Sequence, residues 1–198
     1  MITQTTKECI TKILEEIGED PNREGLKDTP ERVVKMYKEI FRGYDKSQCP
    51  HVTTFPNGQD GIVYDQMIVD TGTFYSQCEH HMAPFFGEYY FAYIPHPHGK
   101  ILGLSKVARV VEYFSAKLQV QERLVNEIVQ YLWNELQNNG SPKPLGMALI
   151  MKGKHLCKCM RGVKQEGKMI TSVMLGEFRI AAVKDEFMNL IKINGGRQ

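Results

Sequence analysis

Residues 88–111 read EYYFAYIPHPHGKILGLSKVARVV, and this stretch decides the fold. The run Glu88–Ile94 is rich in aromatic residues, which is typical of a strand. Pro95–Gly99 predicts a turn, and Ile101–Leu104 predicts the strand that returns from it. Ser105 then stands at the N-cap position of a predicted helix, whose apolar face consists of Val107, Val110, Val111 and Phe114.

Further strand and helix signals follow towards the C-terminus. A second helical stretch runs to Asn139-Gly140 and carries Leu124, Ile128, Tyr131, Leu132 and Leu136. The remaining strand signals lie at Ile62–Val69, Met147–Met151 and Ile170–Phe178, and a short terminal helix is expected around Phe187–Ile191. Strand pairs separated by a helical pair predict an α+β fold, with an antiparallel sheet and helices on one face.

The N-terminal part looks helical instead. Two apolar stripes at helical spacing predict two amphipathic helices, one ending near Gly18 and one beginning at Thr29-Pro30. Residues 44–61 are polar and rich in turn formers, which makes them the best candidate for a boundary. We therefore divide the chain into residues 1–60, a helical region and linker, and residues 61–198, an α+β domain.

Composition narrows the functional classes. The chain has 198 residues and a formal net charge of +2, which argues against a nucleic-acid binder that relies on a global basic field. No apolar stretch approaches the ~18 residues of a membrane span, and Met1–Thr5 lacks the start of a secretory signal. An odd number of cysteines then indicates reduced thiols in a cytoplasmic protein, and favours a metal or catalytic role over disulfides; the five are Cys9, Cys49, Cys78, Cys157 and Cys159.

Three of the five cysteines and three of the six histidines fall in two short clusters. The first is Cys78-Glu79-His80-His81, and the second is His155-Leu156-Cys157-Lys158-Cys159. Cys-x-x-His spacing aims a thiolate and an imidazole at one ion, and both are good zinc ligands. If the second cluster is a strand, its positions 155, 157 and 159 share one face. A buried cysteine beside a surface histidine is the plainer explanation of the first cluster alone.

Two kinds of metal site fit these clusters. A closed structural site would use four ligands, for example Cys78, His81, Cys157 and Cys159. An open catalytic site would use three ligands and leave one position for water. The surplus histidines, His80 and His155, favour the open site, because a hydrolase needs acids and bases near the metal.

Cationic residues form a second group. Lys106 and Arg109 lie in the first turn of the predicted helix after Ser105, and Arg161 follows the second cluster. Amides at a helix N-terminus together with Lys and Arg suit a phosphate. A solvated helix face is the commoner role for such a pair.

The segment Gln119–Arg123 forms a third group. The side chains of Gln121 and Glu122 offer an amide and a carboxylate, which suit the amino and ring N–H groups of a purine. The alternative is helix capping, since Glu is favoured in a first turn by the helix dipole. The residues alone favour capping.

Taken together, the motifs resemble the GTP cyclohydrolase I family over nearly the whole chain, roughly Lys7 to Lys192. The matching motifs are Glu19-Asp20-Pro21, Arg23-Glu24-Gly25-Leu26, Thr29-Pro30-x-Arg32-Val33, Ser76-x-Cys78-Glu79-His80-His81, Gly103-Leu104-Ser105-Lys106 with Ala108-Arg109, Gln119–Leu124, His155-x-Cys157, Arg161-Gly162 and Thr171-Ser172-x-Met174-x-Gly176-x-Phe178. Each is modest evidence alone, but all of them in order are specific.

The resemblance implies a role for each matched position. It implies zinc held by Cys78, His81 and Cys157, which is an open site. It implies proton transfer by His80 and His155, and binding of the GTP triphosphate by Lys106, Arg109 and Arg161. It implies guanine recognition by Gln121 and Glu122, with Ser105 in the same pocket. Cys159 has no family role, which argues against the four-ligand site. The implied guanine-reading role argues against capping as the main role of Glu122, although Glu122 can still help to cap the helix.

The implied reaction is hydrolytic opening of the guanine imidazole ring of GTP. Zinc activates water near neutral pH, and protonation of N7 makes C8 a better electrophile. Formate leaves after a second hydrolysis, and an Amadori rearrangement with ring closure gives 7,8-dihydroneopterin triphosphate. This product would serve folate, pterin or deazaguanine biosynthesis.

The implied fold is the tunnelling fold, a four-stranded antiparallel sheet with two helices on one face, preceded here by the N-terminal helical pair. Five subunit sheets are expected to join into a barrel, and two rings to stack into a homodecamer with active sites between subunits. No nucleic-acid or membrane partner is expected.

Two positions depart from the usual family pattern. Ala83 replaces a larger aliphatic residue that is usual in the family, and Met169 replaces a threonine. Neither position is a metal ligand or a triphosphate-binding residue.

The rival functions are another tunnelling-fold pterin or purine enzyme, and a structural zinc module for partner binding. Cys-His-Cys ligation argues against the first, and the two spare histidines argue against the second.

Overall fold

A computed structural model that describes residues 3–195 gives the helices and strands. The helices are α1 (Gln4–Glu16), α2 (Thr29–Ile40), α3 (Lys106–Ser115), α4 (Gln121–Gln137), α5 (Leu156–Cys159) and α6 (Ala181–Gly195). The strands are β1 (Thr54–Pro56), β2 (Ile68–Cys78), β3 (Pro84–Ile94), β4 (Lys100–Leu102), β5 (Leu118–Gln119), β6 (Gly146–His155) and β7 (Lys168–Gly176).

The main sheet has the strand order β5–β2–β3–β6–β7. Its four long strands are antiparallel neighbours, with Tyr89 of β3 opposite Gly72 of β2 and Met151 of β6. The predicted α+β fold and its four antiparallel strands are thus confirmed. A fifth strand, β5, adds two residues in parallel to the end of β2, where Cys78 lies opposite Gln119.

The strand that returns from the turn at Pro95–Gly99 does not join this sheet. It is β4, and it pairs with β1 in a separate two-stranded sheet. The backbone N–H of Leu102 donates to the hydroxyl of Tyr93 at 3.0 Å, which ties this small sheet to β3. The predicted turn and strand are therefore present, but the strand has a different partner.

The main core lies between one face of the sheet and the helices α3 and α4, as predicted. Alternate residues of the strands point to this face because side chains alternate across a strand. The core residues from the sheet include Phe74, Phe85, Tyr89, Phe91, Leu149 and Met151, and those from the helices include Val110, Val111, Leu124, Ile128 and Leu132.

The opposite face of the sheet is partly covered by α6, which is longer than the short terminal helix predicted. Phe187 of α6 meets Phe178 edge-on at 5.6 Å between ring centroids, and both side chains are fully buried. Ala92 and Ala148 of the sheet belong to the same second cluster. Helices therefore lie on both faces, with the pair α3 and α4 on one.

The strand predicted at Ile62–Val69 is largely wrong, since β2 spans Ile68–Cys78. The amide of Asn57 donates to the carbonyl of Tyr64 at 2.7 Å and accepts from its N–H at 2.8 Å, so this backbone bonds to a loop rather than to the sheet. Gly72 lowers the strand propensity of this segment, so propensity alone does not predict the strand observed there. A Cβ there would lie 2.7 Å from Cε1 of Tyr89, so the ring of Tyr89 requires a glycine.

The N-terminal helices form a hairpin in which α1 contacts α2 and Lys7 pairs with Glu31. No described residue of α1 is buried, and Val34 is the buried residue of α2. The division of the chain after residue 60 stays a prediction. None of the helices in residues 3–195 is long and apolar enough to cross a bilayer.

Candidate active site

The first cysteine–histidine cluster lies in the connection between β2 and β3. Cys78 is the last residue of β2 and is buried, whereas His80 and His81 are exposed in the turn that follows. The turn is closed by two backbone hydrogen bonds, from Cys78 N to Ala83 O at 2.9 Å and from Met82 N to Cys78 O at 2.8 Å. The sulfur of Cys78 lies 3.7 Å from Nδ1 of His80.

The antiparallel pairing of β3 with β6 brings the second cluster to this turn. Phe85, near the start of β3, lies opposite His155, the last residue of β6. The chain then forms the helical turn α5, which contains Cys157 and contacts β3. The ligand atoms of Cys78, His155 and Cys157 consequently lie within 4.8 Å of one another.

The helical turn excludes one arrangement that the sequence had left open. Residues 155, 157 and 159 do not share a strand face, because β6 ends at His155 and Leu156–Cys159 is helical. Cys159 is not part of the three-residue cluster, which contains no fourth His, Cys, Asp or Glu among the described residues. The four-ligand closed arrangement is therefore not assembled in residues 3–195.

His81 lies outside that cluster. Its Nε2 is 3.3 Å from Nη1 of Arg161, which follows α5. The structure thus groups His155 with the two thiols, and groups His81 with an arginine from the predicted triphosphate clamp.

The donor set suits a zinc ion. Burial raises the pKa of the Cys157 thiol, and the neighbouring thiol of Cys78 adds to the rise. A cation at this point would favour both thiolates, and two sulfurs with imidazole nitrogens are a typical zinc donor set.

His155 is held on two sides. Its ring stacks on Phe85 with 4.5 Å between centroids and 7° between planes, and its Nε2 lies 3.0 Å from Oε1 of Gln121. Burial lowers the pKa of His155, while the carboxylate of Glu122 opposes the shift. Burial therefore favours the neutral ring, which is the form that accepts a proton.

The start of α4 brings the predicted purine-reading residues beside this histidine. Gln121 is fully buried and bonds to the strands β6 and β7, whereas Glu122 is exposed at the helix N-terminus. Glu122 lies in the first turn of α4, where the helix dipole favours a carboxylate, and the N-cap residue is Val120.

The predicted triphosphate residues lie in two places. Ser105 precedes α3 without a side-chain cap, and Lys106 and Arg109 follow on the first turns. None of the hydrogen bonds or ion pairs within residues 3–195 joins these side chains to Arg161 or to the cluster of thiols. Arg109 instead lines a surface cavity with Arg42 and Tyr113, about 260 Å³ in volume.

Sequence reasoning gave no role to several residues around the site. Glu79 forms an ion pair with Arg123, whose Nε also donates to Gln119 at 2.9 Å, and this links the cysteine–histidine turn to the start of α4. Phe85 and Thr171 contact His155 and Gln121 respectively. Thr171 lies within a quoted motif and Phe85 lies beside one, but only the strand pairing shows what these two residues contact.

Comparisons with known proteins agree with these motifs. The family model described as GTP cyclohydrolase I matches residues 6–192. A "GTP cyclohydrolase 1" from Sulfurihydrogenibium sp. (strain YO3AOP1) is 47% identical over 188 residues, covering 93% of this chain and 92% of that protein. A "GTP cyclohydrolase 1 1" from Pseudomonas putida is 45% identical over 186 residues and covers 92% of each chain.

A further relative and a solved structure extend the comparison. A "GTP cyclohydrolase 1" from Leptospira biflexa is 43% identical over 187 residues, covering 92% of this chain and 96% of that protein. The apo crystal structure of the archaeosine synthase QueF-Like superposes with a TM-score of 0.42 at 12% identity, over 56% of this chain and 93% of that chain.

Proposed function

The chain belongs to the GTP cyclohydrolase I family and is a hydrolase of that activity, and from this premise we propose how its residues divide the reaction. The observation that carries the proposal is the convergence of Cys78, Cys157 and His155 within 4.8 Å, beside the start of α4. A pair of thiols, free imidazoles and a carboxylate at one place suit metal-assisted hydrolysis of a purine.

The cofactor in this proposal is zinc, held by Cys78, Cys157 and His81. The two sulfurs are already adjacent, and His81 follows Cys78 by three residues in the same turn. The ring of His81, which contacts Arg161 at 3.3 Å in this structure, would hold the ion in place of that contact. Zinc, when bound, activates water near neutral pH.

The protein's own groups position GTP and move protons. His155, whose neutral form burial favours, accepts a proton, and the exposed His80 delivers one to the purine ring. The carboxylate of Glu122 accepts from the amino and ring N–H groups of guanine, with Gln121 lining the same pocket. Lys106, Arg109 and Arg161 bind the triphosphate, and Ser105 lies in the guanine pocket. The products in this proposal are formate and 7,8-dihydroneopterin triphosphate.

The two separate groups of cations support an active site shared between subunits. Arg161 lies at the thiol cluster, whereas Lys106 and Arg109 lie on α3, so a second copy completes the clamp. The edge strand β7 and the unburied helix α1 offer surfaces for joining subunits. We propose a homodecamer of two stacked pentamers, in the cytoplasm, where cysteine ligands stay reduced.

The activity is tested by incubating the zinc-loaded protein with GTP and measuring released formate and, after oxidation, pterin fluorescence. We expect one formate for each GTP consumed, because C8 leaves as the one-carbon unit. A structural zinc module would bind the metal and leave GTP unchanged. Absence of both products from zinc-loaded assembly would overturn the reaction proposed here.

The shared site is tested by mixing two impaired variants, Arg109→Ala and Cys157→Ala. If each site takes Arg109 from one subunit and Cys157 from another, random mixing rebuilds about a quarter of the sites with wild-type residues. We therefore expect denatured and refolded mixtures to recover activity that neither variant has alone. Recovery no greater than the average of the two variants would show that one chain supplies both residues.

A further inference from the structure

The side-chain amide of Gln121 is fully engaged inside the chain. Its nitrogen donates to the carbonyl of Met151 at 3.0 Å, to the carbonyl of Met169 at 3.2 Å, and to Oγ1 of Thr171 at 3.0 Å. Carbonyl oxygens only accept hydrogen bonds, so the NH₂ group must face β6 and β7. The orientation of the amide is therefore fixed by its surroundings.

The other end of the amide faces His155. With the NH₂ group turned to the strands, Oε1 is the atom that lies 3.0 Å from Nε2 of His155. An amide oxygen only accepts, so Nε2 must carry a proton to complete the bond. In the neutral ring this leaves Nδ1 with the free lone pair.

Packing fixes the position of the Gln121 amide relative to the ring of His155. The ring of His155 lies flat on Phe85, whose backbone is its partner across β3 and β6. On the other side, a Cβ built on Gly153 would lie 2.4 Å from Oε1 of Gln121. A glycine at position 153 is thus what lets the amide oxygen reach the histidine.

We propose that Gln121 is a positioning residue: its amide oxygen accepts a hydrogen bond from Nε2 of His155 and so fixes the ring as the Nε2–H tautomer. This inference rests on the proton-transfer role proposed above for His155. It separates Gln121 from its neighbour Glu122: the amide acts through the histidine, and the carboxylate remains free for the purine. Orienting contacts of this kind are worth roughly 10–100-fold in activity.

The direct test is ¹⁵N NMR of the zinc-loaded enzyme labelled in its histidine rings, recorded at alkaline pH, with His155→Asn used to assign the signal. We expect a protonated Nε2 and an unprotonated Nδ1 in the wild-type protein. A protonated Nδ1 at His155 would overturn the proposal whatever the variants do.

Two variants test whether the contact with Gln121 sets the tautomer of His155. Gln121→Met keeps the side-chain volume but removes the acceptor, and Gly153→Ala displaces the amide oxygen without changing Gln121. We expect either variant to mix the two tautomers and to lower kcat roughly 10–100-fold, with KM for GTP within about twofold and bound zinc unchanged. Asn126→Ala, an exposed change on the same helix, should alter none of these.

The outcomes separate this inference from the proposed function. If the tautomer is as expected but the wild-type enzyme releases no formate from GTP, the reaction is wrong while the positioning role stands. If Gln121→Met raises KM for GTP and leaves the tautomer of His155 intact, Gln121 reads the substrate and the positioning role is wrong.

Discussion

Replacing Cys157 with alanine is expected to lower formate release from GTP by more than about 1000-fold, because activation of water by the metal is lost with its ligand. The thiol lies within 4.8 Å of the ligand atoms of Cys78 and His155, so it belongs to the donor set and not to the general surface. We also expect bound zinc, measured by atomic emission on the dialysed protein, to fall well below one per subunit.

Cys159→Ala is the matched control. It removes a thiol from the same helical turn, two residues along the chain, but outside the cluster. Zinc content and formate release should both be retained. Loss of zinc from Cys159→Ala, or its retention at full activity in Cys157→Ala, would contradict the assignment.

The same measurements identify the third ligand. If His81 binds the metal, His81→Ala loses zinc, whereas His155→Ala keeps the zinc and loses turnover. The reverse pattern would make His155 the ligand, as its position beside the two sulfurs allows. The zinc content of the two variants distinguishes His81 from His155 as the ligand even if both variants lose activity.

The position of this site could be predicted from sequence only in part. The spacing of Cys78 and His81 and the crowding of His155 with Cys157 point to one metal centre. The strand considered for residues 155–159 does not form, however, because the sheet ends at His155 and a helical turn follows. What aligns the clusters is the pairing of Phe85 with His155, a contact between residues 70 positions apart. No local pattern encodes such a register.

The fold shows the same limit at β2. Ile62–Val69 has strand propensity, but most of it is held by the loop amide of Asn57, while Asp70-Thr71-Gly72 has weak propensity and is in the sheet. Gly72 is explained by the ring of Tyr89, which comes from a different strand. Tertiary packing overrides local preference at both places.

The role of Gln121 illustrates what a motif leaves out. Its sequence position predicts a purine reader, but the local pattern does not show which groups of the folded chain its amide contacts. Its acceptors, Met151, Met169 and Thr171, come from β6 and β7 and become visible only in the folded sheet.

Phe85→Ala should lower the free energy of unfolding by about 3–5 kcal/mol, the usual cost of truncating a buried phenylalanine. The side chain is fully buried, meets Phe74 edge-on at 5.9 Å, and supports the ring of His155. We therefore expect a second effect, a fall in kcat from a histidine no longer held flat. Denaturant unfolding at fixed protein concentration measures the first effect, and GTP turnover below the unfolding transition measures the second.

Phe86→Ala separates stability from catalysis. Phe86 is the next residue and faces the opposite side of the sheet, where it stacks on the exposed Tyr75 at 5.8 Å. Since Phe86 is only partly buried and does not contact His155, its loss should cost about 1 kcal/mol and leave kcat unchanged. Equal losses of stability from the two variants would mean that Phe85 is not the packing centre of this end of the core. A normal kcat in Phe85→Ala would mean that Gln121 alone orients His155.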